Sequence, residues 1–211
     1  MERKRVVVIG AGGNAREIAA VIRDVGGWDF VGFLVSDVSK LSRYDSSDEV
    51  LGDFTWLESN QIDALVMGIG NPPAKVKVAK ELSEQFPTVE WPMLIHPSAC
   101  IDKASAKIGK GVVVCVGVVA TVNVTLGDFT QLNFGCTIGH EAVIGRGCLI
   151  NPGANISGGV ELGDAVLVGT GAQVLQYIRV GDGATIGAGA VVTKDVPPKT
   201  TVVGIPAKPK A

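Results

Sequence analysis

Histidine and aromatic residues are scarce in this chain. Two of its 211 residues are histidine, and Phe, Trp and Tyr together make up 5%. A centre built on several imidazoles is therefore excluded, and a core has to be assembled from aliphatic side chains. Charge of one sign is lacking as well. The formal net charge of −2 gives no electrostatic ground for a nucleic-acid or anionic-membrane partner. The four cysteines, Cys100, Cys115, Cys136 and Cys148, show no C-x-x-C spacing. No dithiol or zinc-ribbon motif is present, and a reducing cytoplasm is the expected compartment. No run is long and apolar enough for a membrane helix. The apolar stretch 6–9 follows Met1-Glu2-Arg3-Lys4-Arg5, but Asn14, Arg16 and Glu17 interrupt it before a signal-peptide core forms.

A repeat of six is what the chain does have. Read from Ile108, the first position is Ile108, Val114, Ala120, Leu126, Leu132, Ile138, Ile144, Ile150, Ile156, Leu162, Val168, Val174, Val180, Ile186 and Val192. The fifth position, from Val112 through Cys136, Cys148 and Val166 to Val196, is as consistently small or aliphatic. A period of six fits neither a lone amphipathic helix nor a strand alternation. Three six-residue sides close one triangular coil, and stacked coils bury positions one and five. The fold expected over 94–211 is a hexapeptide parallel β-helix, with glycines after the first position relieving strain at the corners. Outer apolar residues Val113, Val116, Val119, Val143 and Leu167 call for a covering copy of the chain.

Residues 1–93 follow another pattern. Strands are expected at 6–9, 30–35 and 64–69, with helices at 15–24 and 74–86, which gives a small parallel α/β sheet of Rossmann-like type. Residues 39–49 are polar and irregular and read as a mobile loop. Gly10-Ala11-Gly12-Gly13-Asn14-Ala15 fits the relaxed G-x-G-x-x-A fingerprint between a strand and a helix, where backbone N–H groups approach a phosphate. Only one mononucleotide-binding half is present, so the diphosphate of a nucleotide-sugar suits it better than a dinucleotide. A glycine turn that merely packs strand on helix is the plainer alternative.

His140 stands third in Ile138-Gly139-His140-Glu141-Ala142-Val143, so its ring faces outward. One coil further, the residue stacked on it is Gly158, which leaves the adjoining surface open. Glu141 is placed to fix the imidazole tautomer and raise its basicity, provided a corner turns the two side chains together. An ordinary solvated histidine is the competing reading. His96, in His96-Pro97-Ser98, precedes the repeats and is expected to be structural.

The whole chain resembles the bacterial sugar acetyltransferases that include sialic-acid O-acetyltransferases and nucleotide-aminosugar N-acetyltransferases. The resemblance rests on Gly10-Ala11-Gly12-Gly13, Ile138-Gly139-His140-Glu141, the close from Gly187 to Pro197, and Val203-Gly204-Ile205-Pro206-Ala207-Lys208. It implies left-handed winding, a homotrimer with the acetyl-CoA site between neighbouring β-helices, and an amino-terminal domain that grips the nucleotide. The implied activity is acetyl-CoA-dependent N-acetylation of a nucleotide-linked 4-amino-4-deoxy sugar for surface-glycan biosynthesis, without a metal. By resemblance His140 is the general base and Glu141 its partner. Gly12, Gly13, Asn14, Asp37 and Gly70 contact the nucleotide-sugar, and Asn133, Leu149, Gly158, Thr170 and Ala188 line the acetyl-CoA groove. Lys194, Lys199, Lys208 and Lys210 either bind the CoA phosphates or form a solubilising tail.

Three alternatives remain open at the level of sequence. Sialic-acid O-acetylation uses the same machinery. A zinc enzyme of the γ-carbonic-anhydrase type shares the β-helix but needs three histidine ligands, and the repeats hold one. A non-catalytic nucleotide-sugar binder would bind without turnover.

Overall fold

A computed structural model describes residues 3–43, 45 and 47–210. The start of the amino-terminal run and part of the polar segment 39–49 lie outside the described residues. Within that segment, Val38–Lys40 and Ser47–Glu49 form 3₁₀ turns.

The amino-terminal half is a parallel four-stranded sheet ordered β3-β2-β1-β4. Its strands are β1 (Lys4–Ile9), β2 (Trp28–Leu34), β3 (Val50–Gly52) and β4 (Ala64–Met67). β1 and β4 are buried over continuous apolar runs because helices cover both faces. On one face, α1 (Gly13–Val25) packs Ala15, Ile18 and Ile22 against Val6 and Val8. On the other, α2 (Trp56–Ser59) and α3 (Pro72–Gln85) bring Leu57, Ala79 and Leu82 to Val7, Ile9 and Leu65. α3 starts two residues before its expected bound, because Asn71 accepts from Ala74 N–H at 3.0 Å and Pro72 fits the first turn. β3 and α2 were not expected. Each is three or four residues long, too short for a periodic signal.

The carboxy-terminal half is the left-handed parallel β-helix. From Lys107 to Val174 each strand spans only positions six and one of a hexapeptide, such as Gln131–Leu132, and pairs with the strand eighteen residues on, as Gln131 does with Leu149. Positions one and five fill one continuous core of Val, Leu, Ile, Ala and Cys. The corners differ from expectation. The residue with positive φ is the fourth, from Gly111 to Gly189, and Asn123, Phe129, Glu141, Ala165 and Tyr177 adopt it too. The glycines after the first position serve close approach instead. A Cβ on Gly127 would come within 2.7 Å of the Arg146 backbone nitrogen in the next coil.

Three faces alternate around the coil, and we name them by the residue they present. The Gln131 face leads through the corner of Asn133, Thr170 and Ala188 to the Thr137 face. That face leads through the His140 corner to the Val143 face, and the Arg146 corner returns to the Gln131 face. The Thr137 face presents Cys100, Val119, Thr137, Asn155, Gln173 and Val191, without a charge. The Val143 face carries Lys107 and a Glu161–Arg179 ion pair at 3.2 Å.

The sheet domain sits on the Gln131 face. α1 shares a core with Leu94, Val113 and Cys115, and Trp91 meets Phe129 edge-to-face at 5.1 Å. Val113, expected to need a partner copy, is therefore covered by its own chain. Leu167 is half-buried, while Val116, Val119 and Val143 stay exposed. His96 ties this seam, with Nδ1 at 2.8 Å from Ser98 Oγ and Nε2 at 3.3 Å from Asp24 of α1.

Lys75 of α3 is fully buried beside this seam, and its Nζ has no hydrogen-bond partner. Burial pushes its amine down from 10.5 to about 8. The unfolded chain therefore binds a proton that the folded chain releases between pH 8 and 10.5, and stability rises with pH across that window. Replacing the amine with a thioether chain of similar length removes the penalty. Lys75→Met should stabilise the fold at pH 7 by about 3 kcal/mol, a gain that fades towards pH 10.5. Denaturant melts of both proteins at several pH values check this, and equal midpoints at pH 7 would contradict it.

Candidate active site

His140 and Glu141 lie at the corner between the Thr137 and Val143 faces. On a straight strand their side chains would diverge. Glu141 instead takes φ 54°, and this left-handed corner turns its carboxylate onto His140 Nδ1. A carboxylate only accepts, so Nδ1 carries the proton and Nε2 keeps a free lone pair. The second carboxylate oxygen accepts from Asn123 Nδ2 at 3.2 Å, one coil below. Hydrogen bonds from His140 and then Asn123 hold the Glu141 carboxyl below its ordinary range.

Asn123 escaped the sequence reading, although a signal was present. It stands at a fourth position, where asparagine tolerates the left-handed conformation that glycine otherwise supplies. The imidazole leans over Gly158, where any Cβ would overlap the ring. About half of the His140 side chain is exposed (54%), so a ligand can reach Nε2. The corner can thus orient a neutral imidazole and offer one nitrogen as a base.

The other expected site residues fall into two further groups. Gly12, Gly13 and Gly70 line the carboxyl edge of the sheet at its β1/β4 switch point, where α1 begins. A Cβ on Gly12 would meet nothing within 4 Å, and Gly68 lets Ala15 of α1 press onto the sheet. Asp37 ends this edge. Its carboxylate accepts from Ser39 N–H and Oγ at 3.0 and 2.6 Å and pairs with Lys40, which pulls its pKa down to about 2.

Asn14 faces the seam rather than the edge. Its Nδ2 donates to Gly68 O at 2.9 Å and Gln131 Oε1 at 3.0 Å, and Gln131 Nε2 passes the chain on to Asn133 Oδ1 at 2.7 Å. Asn133 and Leu149, expected along an open groove, are 4% and 5% exposed because the sheet domain covers the Gln131 face. Thr170 and Ala188 remain exposed, one coil apart at the corner between the Gln131 and Thr137 faces.

Within one chain these groups stay apart. The His140 corner is the vertex opposite the Gln131 face, on which the sheet domain rests. Nor do two well-formed cavities of the chain include it. One, of about 570 Å³, lies by Arg5, Gln61 and Phe86; the other, of about 520 Å³, lies between α3 and Arg146.

The cysteines offer no nucleophile near the base. Burial pushes the Cys115, Cys136 and Cys148 thiols up to about 12. Exposed Cys100 stands two coils below His140. Among the described residues no three His, Cys, Asp or Glu side chains are gathered as a metal site, and no helix is long and apolar enough to cross a membrane.

Residues 5–82 match the family model of the PglD N-terminal domain, and 159–194 that of the bacterial transferase hexapeptide repeats. No curated protein matches the chain by sequence. Among solved structures, a mutant perosamine N-acetyltransferase from Caulobacter crescentus, in complex with CoA and GDP-perosamine, is 28% identical. The match has a TM-score of 0.88 and covers 98% of this chain and 96% of that one. The acetyltransferase domain of PglB from Neisseria gonorrhoeae, solved also with acetyl coenzyme A, is 30% identical at a TM-score of 0.87, covering 99% and 100%. WeeI from Acinetobacter baumannii is 26% identical at 0.83, covering 97% and 99%.

Removing the imidazole should return the Glu141 carboxyl towards its ordinary range, because the His140 hydrogen bond is the first cause of its lowered value. Carbon-detected NMR titration of His140→Ala against the wild type reads this directly. An unmoved Glu141 titration would mean that the contact does not persist in solution.

Proposed function

The chain belongs to the hexapeptide-repeat sugar acetyltransferases with a PglD-type amino-terminal domain, and from that membership we propose that it acetylates a nucleotide-linked amino sugar with acetyl-CoA. The observation that carries this reading is His140, held by Glu141 through Nδ1 with Nε2 free and exposed. The relatives support the two substrates: one is solved with CoA and GDP-perosamine, another with acetyl coenzyme A. The amino form of the acceptor, a 4-amino-4-deoxy sugar of surface-glycan assembly, follows from the same likeness.

The sugar amine attacks the thioester carbonyl carbon while His140 Nε2 takes its proton. The tetrahedral centre collapses, the carbon–sulfur bond breaks, and the imidazolium returns the proton to the departing CoA sulfur. No acyl-enzyme is needed. The raised thiol pKa values of the buried cysteines agree with direct transfer.

The site is shared between copies in a homotrimer. The uncharged Thr137 face, with exposed Val119 on it and exposed Val116 and Val122 at its bounding corners, is the surface fit to point at a threefold axis. In such a ring the two corners bounding that face meet. The His140 corner of one chain then lies against the Thr170–Ala188 corner of the next, beside the next chain's sheet domain. That brings the base to the Gly12–Gly13 and Gly70 edge, which holds the sugar diphosphate at the start of α1. Acetyl-CoA runs along the cleft past Gly158, Thr170 and Ala188. Asn14, Asn133 and Leu149 support the cleft from the seam, and Asp37 lies at its nucleotide end. Four unpaired thiols fit a reducing cytoplasm.

His140→Ala should lower turnover by roughly 10²–10⁴-fold, the usual worth of a positioned base, while calorimetry still detects both ligands. No core packing is lost, because the ring faces outward. Full activity in a folded His140→Ala protein would remove the base assignment.

A further inference from the structure

Two aromatic side chains occupy left-handed corners of the coil, Phe129 at φ 60° and Tyr177 at φ 58°. Each leans back over the glycine one coil below, Phe129 over Gly111 and Tyr177 over Gly159. Phe129 is half-buried, its ring packed edge-to-face on Trp91. Tyr177 is 73% exposed, and no part of its own chain covers its outer face. Its place beside the base gives that exposure a use.

Gly158 and Gly159 are consecutive. The imidazole of His140 leans onto Gly158 from the coil below, and the ring of Tyr177 leans onto Gly159 from the coil above. The two rings therefore converge on one glycine pair whose Cα atoms are about 3.8 Å apart. A nucleophile bonded to Nε2 at about 3 Å places the attacked carbonyl carbon about 3–3.5 Å further on. That span reaches the neighbourhood of Gly159, where the Tyr177 ring is seated.

We propose that Tyr177 is a specificity-determining residue whose ring closes the acyl side of the transfer site and limits the group taken from the CoA thioester to acetyl. This rests on the acyltransferase reading of His140. Gly159 is part of the device, since any side chain there would push the tyrosine ring off its floor.

The test compares wild type, Tyr177→Gly and Tyr177→Phe with acetyl-CoA and butyryl-CoA as donors to a nucleotide-linked amino sugar. Glycine is the removal of choice, because it holds the same left-handed corner at Gly159 and Gly171 without strain. Tyr177→Gly should reduce the acetyl-over-butyryl preference in kcat/KM by roughly tenfold or more, as loss of a pocket wall does, with the sugar KM unchanged. Tyr177→Phe, which keeps the ring, should behave as wild type. An unchanged preference in an active Tyr177→Gly enzyme overturns the wall alone. A wild type that turns over neither donor overturns the acyltransferase reading, and the wall with it.

Discussion

The architecture depends on the left-handed backbone at the fourth position of the hexapeptides from Gly111 to Gly189. Through these corners each side of two paired residues turns into the next, once every six residues. Glycine meets the demand at most corners. Where a side chain stands there instead, the corner aims it in a direction no straight strand allows. Glu141 is the instance that matters chemically. Its φ of 54° brings a carboxylate onto its own neighbour in sequence, and Asn123 repeats the conformation one coil below and donates to the other oxygen. The pairing of His140 with Glu141 is thus a by-product of how the coil turns.

The same geometry separates the pieces of the site. Because the coil is a triangular prism, a domain resting on one face is as far as possible from the opposite vertex. The seam of Asn14, Gln131 and Asn133 fixes the sheet domain on its face through side-chain amides, and Lys75 is buried alongside. A rigid seam suits a site assembled between chains. In the proposed trimer, the Gly12–Gly13 edge and the His140 corner would then keep a fixed relation to one another.

Much of this was legible in the sequence, for identifiable reasons. The period of six is set by inward packing, so Ile108 to Val192 declared the coil without help from a structure. The outward position of His140 followed from register alone, whereas the surface expected to be open at Gly158 is covered by the imidazole itself. The burial of Asn133 and Leu149 did not follow from register, because register tells which way a residue points and not what another domain lays over it. Val113 failed as an interface residue for that reason. Asn123 was hidden by its ordinariness as a polar corner residue, and its role needs the eighteen-residue stacking on Glu141 to be seen. β3 and α2 are too short to show a period.

The central claim is that one chain supplies His140 and its neighbour supplies the nucleotide edge. The most direct measurement mixes two inactive variants, His140→Ala and Gly12→Val, by co-expression and dual-tag purification of the mixed oligomer. The chain with valine at the nucleotide edge still carries His140, and the chain lacking the imidazole still carries Gly12. Each mixed trimer should then hold one working site out of about three, formed where the two intact parts meet across an interface. A mixed oligomer that stays as inactive as either parent would show that each chain needs both parts of its own, and would contradict the shared site.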